Sequence, residues 1–288
     1  MTTTPTHTIL HLSDTHILPT EDDRLHGVDT MANLRLALDS VAEHGATPDA
    51  ILVSGDLANA GELESYRRLR GVLDEARARF GVPVLPVMGN HDARGPFREG
   101  LLGEPASDEP YRYVTWLGGL RVIVLDSTVP GAAHGELDSA QLDWLRAELV
   151  QPAPDGTLVV LHHPPIPGPV PIINFLVLRN PEALADAIQG SDVVAVLAGH
   201  AHHPISGAFA GVLCFAAPAT AYTVDPLAGP SIIRGIEGPG FGLLHLYGRT
   251  AVASAVAVGS ESRVIYEHEV SPEVISRWTG RAQALVVA

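Results

Sequence analysis

The strongest constraint on the fold of this chain is a pattern that occurs five times, in which a short apolar run ends in a small cluster of polar side chains. The runs have the length and composition of β-strands, so each cluster falls where a strand gives way to a loop. The clusters are Asp14-Thr15-His16, Gly55-Asp56, Gly89-Asn90-His91-Asp92, His162-His163 and Gly199-His200-Ala201-His202. Active sites of layered α/β folds are built at such strand ends, and these side chains supply enough ligands for two metal ions.

Helical patterns alternate with the first strand-like runs. The predicted elements are strands at residues 9–12, 50–54 and 84–87 and helices at residues 30–44 and 62–80. Asp29 is a suitable N-cap for the first helix, while Gly45 and Gly81 lie just beyond the two helix ends. The alternation indicates an α/β fold.

Three further apolar runs, at residues 121–125, 158–161 and 193–197, are apolar enough for strands that are buried on both faces. A helix is predicted at 139–149, capped by Asp138, with Gln141 returning the capping bond. Another helix is expected to open at Asn180-Pro181, because proline is tolerated at the first helical position.

After His203 the pattern becomes β-rich. Strands are predicted at residues 212–216, 241–246, 251–258 and 264–267, and we expect them to form a second sheet that faces the first. The proline-rich stretch 164–171 predicts a stiff loop beside the site. The apolar run that follows it, 172–178, could cap the site, meet a partner chain or be buried within its own fold.

The composition is that of a globular chain that folds by itself, with 46% apolar and 18% charged residues among 288. All 18 basic residues are arginine, which excludes the lysine of a phosphate-loop NTPase and a Schiff-base lysine. The formal charge of −15 disfavours contact with a polyanion, so we expect no stable nucleic-acid partner.

Cys214 is the only cysteine, which excludes an intramolecular disulfide and a cysteine-based zinc site and favours a cytoplasmic location. The first residues, MTTTPTHTIL, lack the basic segment and apolar stretch of a cleaved signal. No segment approaches the roughly 20 apolar residues that a membrane-spanning helix needs. We therefore expect neither export by a cleaved signal nor a transmembrane segment.

Mixed Asp, Asn and His ligands favour first-row transition metals over calcium and magnesium. Alternate side chains of an extended loop point the same way, so Asp14 and His16 can bind one ion together. His200 and His202 can do the same, or can divide between neighbouring ions. Asp56 is the natural bridging carboxylate for two ions about 3.5–4 Å apart, since it stands alone after a buried strand.

In this order, the clusters resemble the signature of the calcineurin-like metallophosphoesterases over about two-thirds of the chain. The blocks SDTH, GNHD, HHPP and GHAHH are most similar to bacterial class III cyclic-nucleotide phosphodiesterases. The resemblance implies an α/β fold with four α/β/β/α layers, in which two mixed β-sheets face each other. It also implies a homodimer. The chain is expected to form one catalytic domain at residues 1–270, followed by a C-terminal tail at 271–288 with a candidate short helix.

The resemblance further implies a division of the ligands. One ion is expected on Asp14, His16, Asp56 and His202, and the other on Asp56, Asn90, His162 and His200. Both are divalent or transition metal ions, with Mn, Fe and Zn all acceptable.

His91 is not expected to bind metal. The resemblance places it beside the leaving-group oxygen, where its imidazolium stabilises charge or donates a proton, with Asp92 orienting the ring. The implied reaction is in-line attack on phosphorus by a hydroxide that bridges the two metals.

The implied substrate is a small phosphodiester, with 3′,5′-cyclic nucleotides such as cAMP favoured. Three enzymatic alternatives stay open: 2′,3′-cyclic nucleotides, glycerophosphodiesters, and aryl phosphates that include monoesters. A nuclease is disfavoured by the acidic charge. A non-catalytic scaffold of the same fold is disfavoured because every predicted ligand position carries a suitable residue.

Other polar residues near the clusters have less specific interpretations. The family pattern Gly-Asp-x-x-Asp ends here in Asn59, which is expected outside the ligand set. His163 and His203 are expected to point away from the metals, because adjacent residues of an extended segment face opposite sides. His11 is expected in the core. His134, on a loop, is a candidate substrate contact.

Overall fold

The computed structural model describes residues 4–259, 270–271 and 273–274. The strand predicted at 264–267 lies outside the described residues, as does the tail 271–288 apart from three positions. The boundary between a catalytic domain and a tail at residue 270 therefore stays a prediction.

The described part of the chain contains thirteen strands and five α-helices. The strands are β1 His7–Leu12, β2 Ala50–Ser54, β3 Val84–Val87, β4 Tyr113–Leu117, β5 Leu120–Val124, β6 Thr157–Val160, β7 Val193–Ala198, β8 Ile205–Phe209, β9 Val212–Ala216, β10 Thr223–Val224, β11 Gly235–Ile236, β12 Gly240–Tyr247 and β13 Thr250–Ala257. The helices are α1 Thr30–Glu43, α2 Leu63–Phe80, α3 Arg94–Phe97, α4 Ser139–Glu148 and α5 Pro181–Ile188. A π-helical turn at Arg98–Leu102 follows α3, and a 3₁₀ turn lies at Ile173–Phe175.

Two mixed sheets carry the fold, and a short β10–β11 hairpin stands apart from them. The first sheet has the order β13-β12-β1-β2-β3, and the second has the order β4-β5-β6-β7-β9-β8. β1, β2 and β3 are parallel, as are β5, β6, β7 and β9. β12 pairs antiparallel with β1, β13 with β12, β4 with β5 and β8 with β9. β4 and β8 were not predicted from the sequence.

The predicted composition of the second sheet is wrong. Of the strands expected after His203 that lie in the described part of the chain, only β9 belongs to that sheet, where it pairs with β7. β12 and β13 extend the first sheet, since Leu244 of β12 pairs opposite Ile9 of β1. The pairing partner of a strand depends on contacts distant in sequence, which local apolar patterning does not specify.

The two sheets face each other across an apolar core. Ile9, Leu52 and Leu244 of the first sheet pack in one buried cluster with Leu158 and Leu197 of the second. Burial of this interface is the main favourable term that holds the sheets together, because it removes apolar surface from both.

Helices cover the outer faces. Leu34 of α1 and Leu69 of α2 pack in a cluster with Ile51 of the first sheet. Leu145 of α4 and Leu184 of α5 pack in another with strands of the second sheet. The predicted four-layer α/β/β/α sandwich with two facing mixed sheets is confirmed.

The helix starts follow the predicted capping residues in part. Asp29 accepts the N–H of Ala32 at 2.9 Å, and Asp138 accepts the N–H of Gln141 at 2.7 Å. The side chain of Gln141 does not return the bond, because it pairs with both backbone groups of Asp126 instead. This pairing fixes the loop after β5 against the start of α4.

Among the described residues, no helix combines the length and apolar character that crossing a lipid bilayer requires.

The packing between the two sheets predicts how substitution of Leu244 changes the free energy of unfolding. Leu244 is fully buried between them, whereas Val252 of β13 is 44% exposed. We expect Leu244→Ala to lower the free energy of unfolding by about 2–5 kcal/mol, because it leaves a cavity in the core. Val252→Ala is the control, with a loss of less than about 1 kcal/mol. Equal losses in denaturant titrations would contradict the inter-sheet position of Leu244.

Candidate metal centre

The predicted ligands follow the carboxyl ends of parallel strands in both sheets. Asp14 and Asp56 come after β1 and β2 of the first sheet, and His162 and His200 after β6 and β7 of the second. Backbone hydrogen bonds join these loops, from Asp14 N–H to the Gly55 carbonyl at 3.0 Å and from Gly199 N–H to the His162 carbonyl at 2.9 Å. The structure thus brings all five clusters to one end of the two facing sheets.

One group of possible ligands consists of Asp14, His16, Asp56 and His202, all buried, with ligand atoms within 4.8 Å of one another. The Nε2 atoms of His16 and His202 are 3.0 Å apart. His202 Nε2 lies 3.5 Å from Asp14 Oδ1, and His16 Nε2 lies 3.6 Å from Asp56 Oδ2. Two imidazole nitrogens that face each other beside two carboxylates match a cation site.

The outer nitrogens of both rings have acceptors that fix their orientation. His202 Nδ1 lies 3.1 Å from the Tyr222 carbonyl oxygen, and His16 Nδ1 lies 3.3 Å from Asn59 Oδ1. With Nδ1–H donated outward, each Nε2 keeps its lone pair for the interior of the group. Asn59 therefore orients a possible ligand, and its side chain lies outside the group.

The remaining predicted ligands lie on the other side of Asp56. His162 Nε2 is 3.3 Å from Asp56 Oδ2, and His200 Nδ1 is 3.0 Å from Asn90 Oδ1. His162 Nδ1 lies 2.7 Å from the Ser54 carbonyl oxygen, which directs its Nε2 toward Asp56. Asp56 thus lies within reach of ligands on both sides, as a bridging carboxylate requires.

The donor set fits a metal. Nε2 of His162 and Nε2 of His200 are buried without a hydrogen-bond partner. Such atoms are costly in a protein interior unless they bind something. Imidazole nitrogens, two carboxylates and an amide oxygen together suit borderline first-row metals.

The backbone at the site is strained. A left-handed φ is uncommon outside glycine. Of the seven non-glycine residues in the described part of the chain that have one, five are predicted ligands: Asp14, His16, Asp56, His200 and His202. Such conformations cluster at functional sites, where they aim side chains that regular structure would direct elsewhere.

Two glycines permit the close approach of the loops. A Cβ atom on Gly55 would lie 2.3 Å from His162 Nδ1, and one on Gly89 would lie 2.3 Å from the backbone N of Asp56. Both positions exclude a side chain while the loops keep this arrangement.

His91 lies at the exposed rim of the site. Its backbone N–H donates to Asp56 Oδ1 at 2.9 Å, and its ring meets that of His16 edge to face at 4.7 Å. Its Nδ1 is 2.6 Å from the Asn59 carbonyl oxygen. The expectation that Asp92 orients this ring is wrong, because the Asn59 carbonyl has that role.

Asp92 instead holds the loops after β2 and β3 together through hydrogen bonds. Its carboxylate accepts the backbone N–H groups of Gly89 at 2.8 Å and of Leu57 and Ala58 at 3.1 Å, and the hydroxyl of Tyr66 at 2.9 Å. These bonds join the loop after β3 to the loop after β2. Burial and the nearby charge of Asp56 raise the pKa of Asp92 to about 6.

The expectation that His163 points away is also wrong. Its ring lies 4.9 Å from that of His162 and 4.7 Å from that of His200. The backbone bends at residues 162–163, so the alternation of an extended segment does not apply. His11 lies in the core as predicted, with Nε2 2.8 Å from Ser54 Oγ.

The loop segments around the site have mixed burial. Residues 164–178 bury Val170 and Ile173 against a surface that includes Tyr222, while Phe175 remains 74% exposed. The Tyr222 ring in turn lies 4.5 Å from that of His202. His134 is half-buried on the loop between β5 and α4, and its contact with substrate stays a prediction.

Comparison with known proteins decides the family. The sequence model of the family described as calcineurin-like phosphoesterase matches residues 7–204 of this chain. The chain belongs to the calcineurin-like phosphoesterase family.

Two curated relatives extend the match to most of this phosphoesterase. A probable cyclic nucleotide phosphodiesterase of Rhodococcus erythropolis is 43% identical over 261 residues, which cover 90% of this chain and 86% of that protein. A cAMP/cGMP dual specificity phosphodiesterase of Mycobacterium tuberculosis is 43% identical over 262 residues, covering 90% and 82%.

Solved structures with low sequence identity share the fold. A dimetal phosphatase from Danio rerio superposes with a TM-score of 0.57 at 17% identity, covering 88% of this phosphoesterase and all of that chain. A purple acid phosphatase from yellow lupin has a TM-score of 0.55 at 15% identity, covering 86% and 51%.

The site also predicts how the metal-free phosphoesterase responds to pH. Burial by itself lowers the pKa of His162, but the paired charge of Asp56 outweighs it and raises the pKa to about 9. This value exceeds the ordinary histidine pKa of about 6.5. The pair of His162 and Asp56 therefore gives its full stabilisation below about pH 6.5. Its contribution, about 3 kcal/mol, is lost as pH rises through about 9.

We therefore expect the free energy of unfolding of chelator-treated protein to fall between about pH 7 and pH 10. His162→Asn removes the pair and flattens this fall, whereas His44→Asn, at the exposed end of α1, leaves it unchanged. An equal fall in all three proteins, measured by denaturant titration, would show that His162 does not carry it.

Proposed function

We propose that this phosphoesterase hydrolyses small phosphodiesters, and that 3′,5′-cyclic nucleotides such as cAMP are its substrates. The proposal rests on the position of Asp56 between the two predicted ligand groups. Its Oδ2 lies 3.6 Å from His16 Nε2 in one group and 3.3 Å from His162 Nε2 in the other. The substrate class is supported by the two relatives named as cyclic nucleotide phosphodiesterases, each 43% identical over 90% of the chain.

Two metal ions are assigned to the site, each of them Mn, Fe or Zn. Asp14, His16, Asp56 and His202 would hold one, and Asp56, Asn90, His162 and His200 the other. Ions in such a site lower the pKa of water and stabilise negative charge on phosphoryl oxygens.

The residues of the chain position and protonate the reacting groups. His91 donates Nδ1–H to the Asn59 carbonyl, which leaves Nε2 to hold the proton that the leaving oxygen needs. As a water-derived oxygen forms a new bond to phosphorus, the P–O bond to the leaving oxygen breaks, and the imidazolium of His91 gives its proton to that oxygen and becomes neutral. Asp92 contributes by holding His91 and Asn90 in place through the N–H of Gly89.

The charge of the chain fits a small substrate. A formal charge of −15 disfavours the phosphate backbone of a long nucleic acid, so we assign no nucleic-acid partner. A phosphomonoesterase with the same metals, and activity on 2′,3′-cyclic nucleotides, glycerophosphodiesters or aryl phosphates, are the alternatives.

We also assign a cytoplasmic location and a homodimer. The single cysteine supports the first. Apolar side chains exposed between β10 and β11, with Leu227 at 90% and Ile233 at 56%, support an interface between copies. Sedimentation equilibrium of the full chain tests the dimer.

A substrate panel tests the reaction. Metal-reconstituted protein is assayed on 3′,5′- and 2′,3′-cyclic nucleotides, a glycerophosphodiester, and an aryl phosphodiester with its matching monoester. We expect the highest kcat/KM for a 3′,5′-cyclic nucleotide, since this ratio reports transition-state binding. A monoester preferred by a large factor would overturn the proposal, and protein that binds no metal would favour the scaffold.

His91→Ala separates metal binding from turnover. We expect the variant to keep both metals, measured by elemental analysis, and to lose about 10²- to 10⁴-fold in kcat, the usual contribution of a general acid. His44→Ala, whose histidine lies at the exposed end of α1, is the control with unchanged kcat. Loss of metal from His91→Ala would mean that His91 is a ligand.

A further inference from the structure

A cavity of about 320 Å³ lies beside the predicted metal centre and has no role in the proposed mechanism. The predicted ligand Asn90 lines it, together with Arg94, Asp108 and Thr128. The volume falls at the lower end of the range that small-molecule pockets occupy. Because Asn90 Oδ1 also lies 3.0 Å from Nδ1 of His200, the cavity adjoins the second ligand group.

The walls of the cavity come from three segments of the chain that one guanidinium group holds together. Arg94 donates from Nε to Asp126 Oδ2 at 3.0 Å. Its Nη1 donates to the Asp108 carbonyl at 2.9 Å and its Nη2 to the Thr128 carbonyl at 3.3 Å. The Asp126 side chain is fully buried, and that of Arg94 is 15% exposed. Charge-assisted bonds in such a setting fix the relative positions of the three segments.

The carboxylate of Asp126 also fixes the loop after β5. Its Oδ1 accepts the backbone N–H of Thr128 at 2.9 Å and the Thr128 hydroxyl at 2.6 Å. Its Oδ2 accepts the backbone N–H of Tyr111 at 2.9 Å. The walls are therefore in place before a ligand binds, which lowers the entropy cost of binding.

The charges around the cavity disfavour a second phosphate group there. Nε, Nη1 and Nη2 of Arg94 already donate to protein oxygens, and the charge of Asp126 offsets that of the guanidinium. Asp92 and Asp108 also line the cavity, and carboxylates repel an anion. The part of a substrate that enters this cavity is therefore uncharged.

The rest of the lining suits a flat ring with polar edges. Ala93, Val129 and Pro130 supply apolar surface, while Thr128 and Asp108 supply oxygen atoms. A nucleobase has apolar faces and hydrogen-bonding groups along its edges. In a nucleotide the base is joined to the phosphate through ribose, so a phosphate at the metal centre brings its base within reach of the adjoining cavity.

We propose that this cavity is the nucleobase pocket of the substrate, and that the loop at 128–131 is the wall that distinguishes nucleotides from other small phosphodiesters. The inference rests on the proposed hydrolysis of cyclic nucleotides. Metal ions contact the phosphate of every phosphodiester alike, so a preference for nucleotides needs a contact with another part of the substrate. The cavity beside Asn90 supplies that contact.

Val129→Met tests the pocket by reducing its volume. Val129 is half-buried and lines the cavity, and the longer methionine side chain adapts to irregular gaps. Metal-reconstituted protein is assayed on 3′,5′-cAMP and on the cyclic ribose 3′,5′-phosphate that lacks the base. We expect the ratio of the two kcat/KM values to fall on the order of tenfold, mainly through the KM of cAMP, because the lost contact involves the base.

Val150→Met is the matched control. Val150 is 70% exposed just beyond the end of α4 and does not line the cavity. We expect the same ratio of kcat/KM values as in the original chain. An equal ratio in the original chain and in both variants would overturn the inference.

Photolabelling locates the base without any variant, so a variant that fails to fold does not block the test. 8-Azido-AMP carries a photoreactive group on its base and has no diester bond to cleave. It is irradiated with metal-reconstituted protein, and the labelled positions that excess AMP protects are identified by mass spectrometry. We expect label at residues 93–94, 108 or 128–131. Protected label confined to other residues would also overturn the inference.

The inference and the proposed function fail in different ways. Hydrolysis of cAMP with an unchanged ratio in Val129→Met, or with label elsewhere, would leave the proposed function intact and place the base outside this cavity. Failure of the original chain to cleave cyclic nucleotides would instead remove the proposed function, and this inference with it.

Discussion

The carboxylate of Asp56 is the point on which the rest of the site depends. It accepts the backbone N–H of His91 at 2.9 Å, and it lies 3.3 Å from Nε2 of His162 and 3.6 Å from Nε2 of His16. Burial alone would raise its pKa, but the surrounding imidazoles outweigh that effect and hold the pKa well below its ordinary value. A charge fixed here joins loops from both sheets, so their ligands can meet at one metal centre.

The apolar interface between the sheets makes this meeting possible. Parallel strands in each sheet end at the same side, and packing of Leu52 on Leu158 and its neighbours sets the separation of those ends. Polar contacts then continue the interface into the site, since His162 Nδ1 reaches the Ser54 carbonyl at 2.7 Å and His200 N–H reaches the Asp14 carboxylate at 3.0 Å. The core thus determines the spacing of the two sheets, and these bonds determine the register of the ligands.

Local patterning predicted most helices and strands. It also predicted which residues lie together at the site, because ligands at strand ends keep a recognisable sequence spacing. Local patterning failed where strand pairing or side-chain position depends on residues that are distant in sequence. The pairing of β12 with β1 cannot be read from either strand alone. Similarly, the position of Asp92 depends on the hydroxyl of Tyr66, and that of His163 on a bend after β6. The periodicity of extended segments does not hold in loops where ligands such as His200 have a left-handed φ.

That left-handed backbone has an energetic consequence. Residues held at such angles cost on the order of 1–3 kcal/mol each, and five predicted ligands share this conformation. The strain persists only because surrounding contacts outweigh it, among them the four hydrogen bonds that Asp92 accepts from Gly89, Leu57, Ala58 and Tyr66. An ion that binds the assembled ligands, and not the unfolded chain, adds its binding free energy to the same balance. Metal affinity and fold stability are therefore coupled through these loops. The strained backbone of the loops holds the ligands in the arrangement that binds metal before an ion arrives.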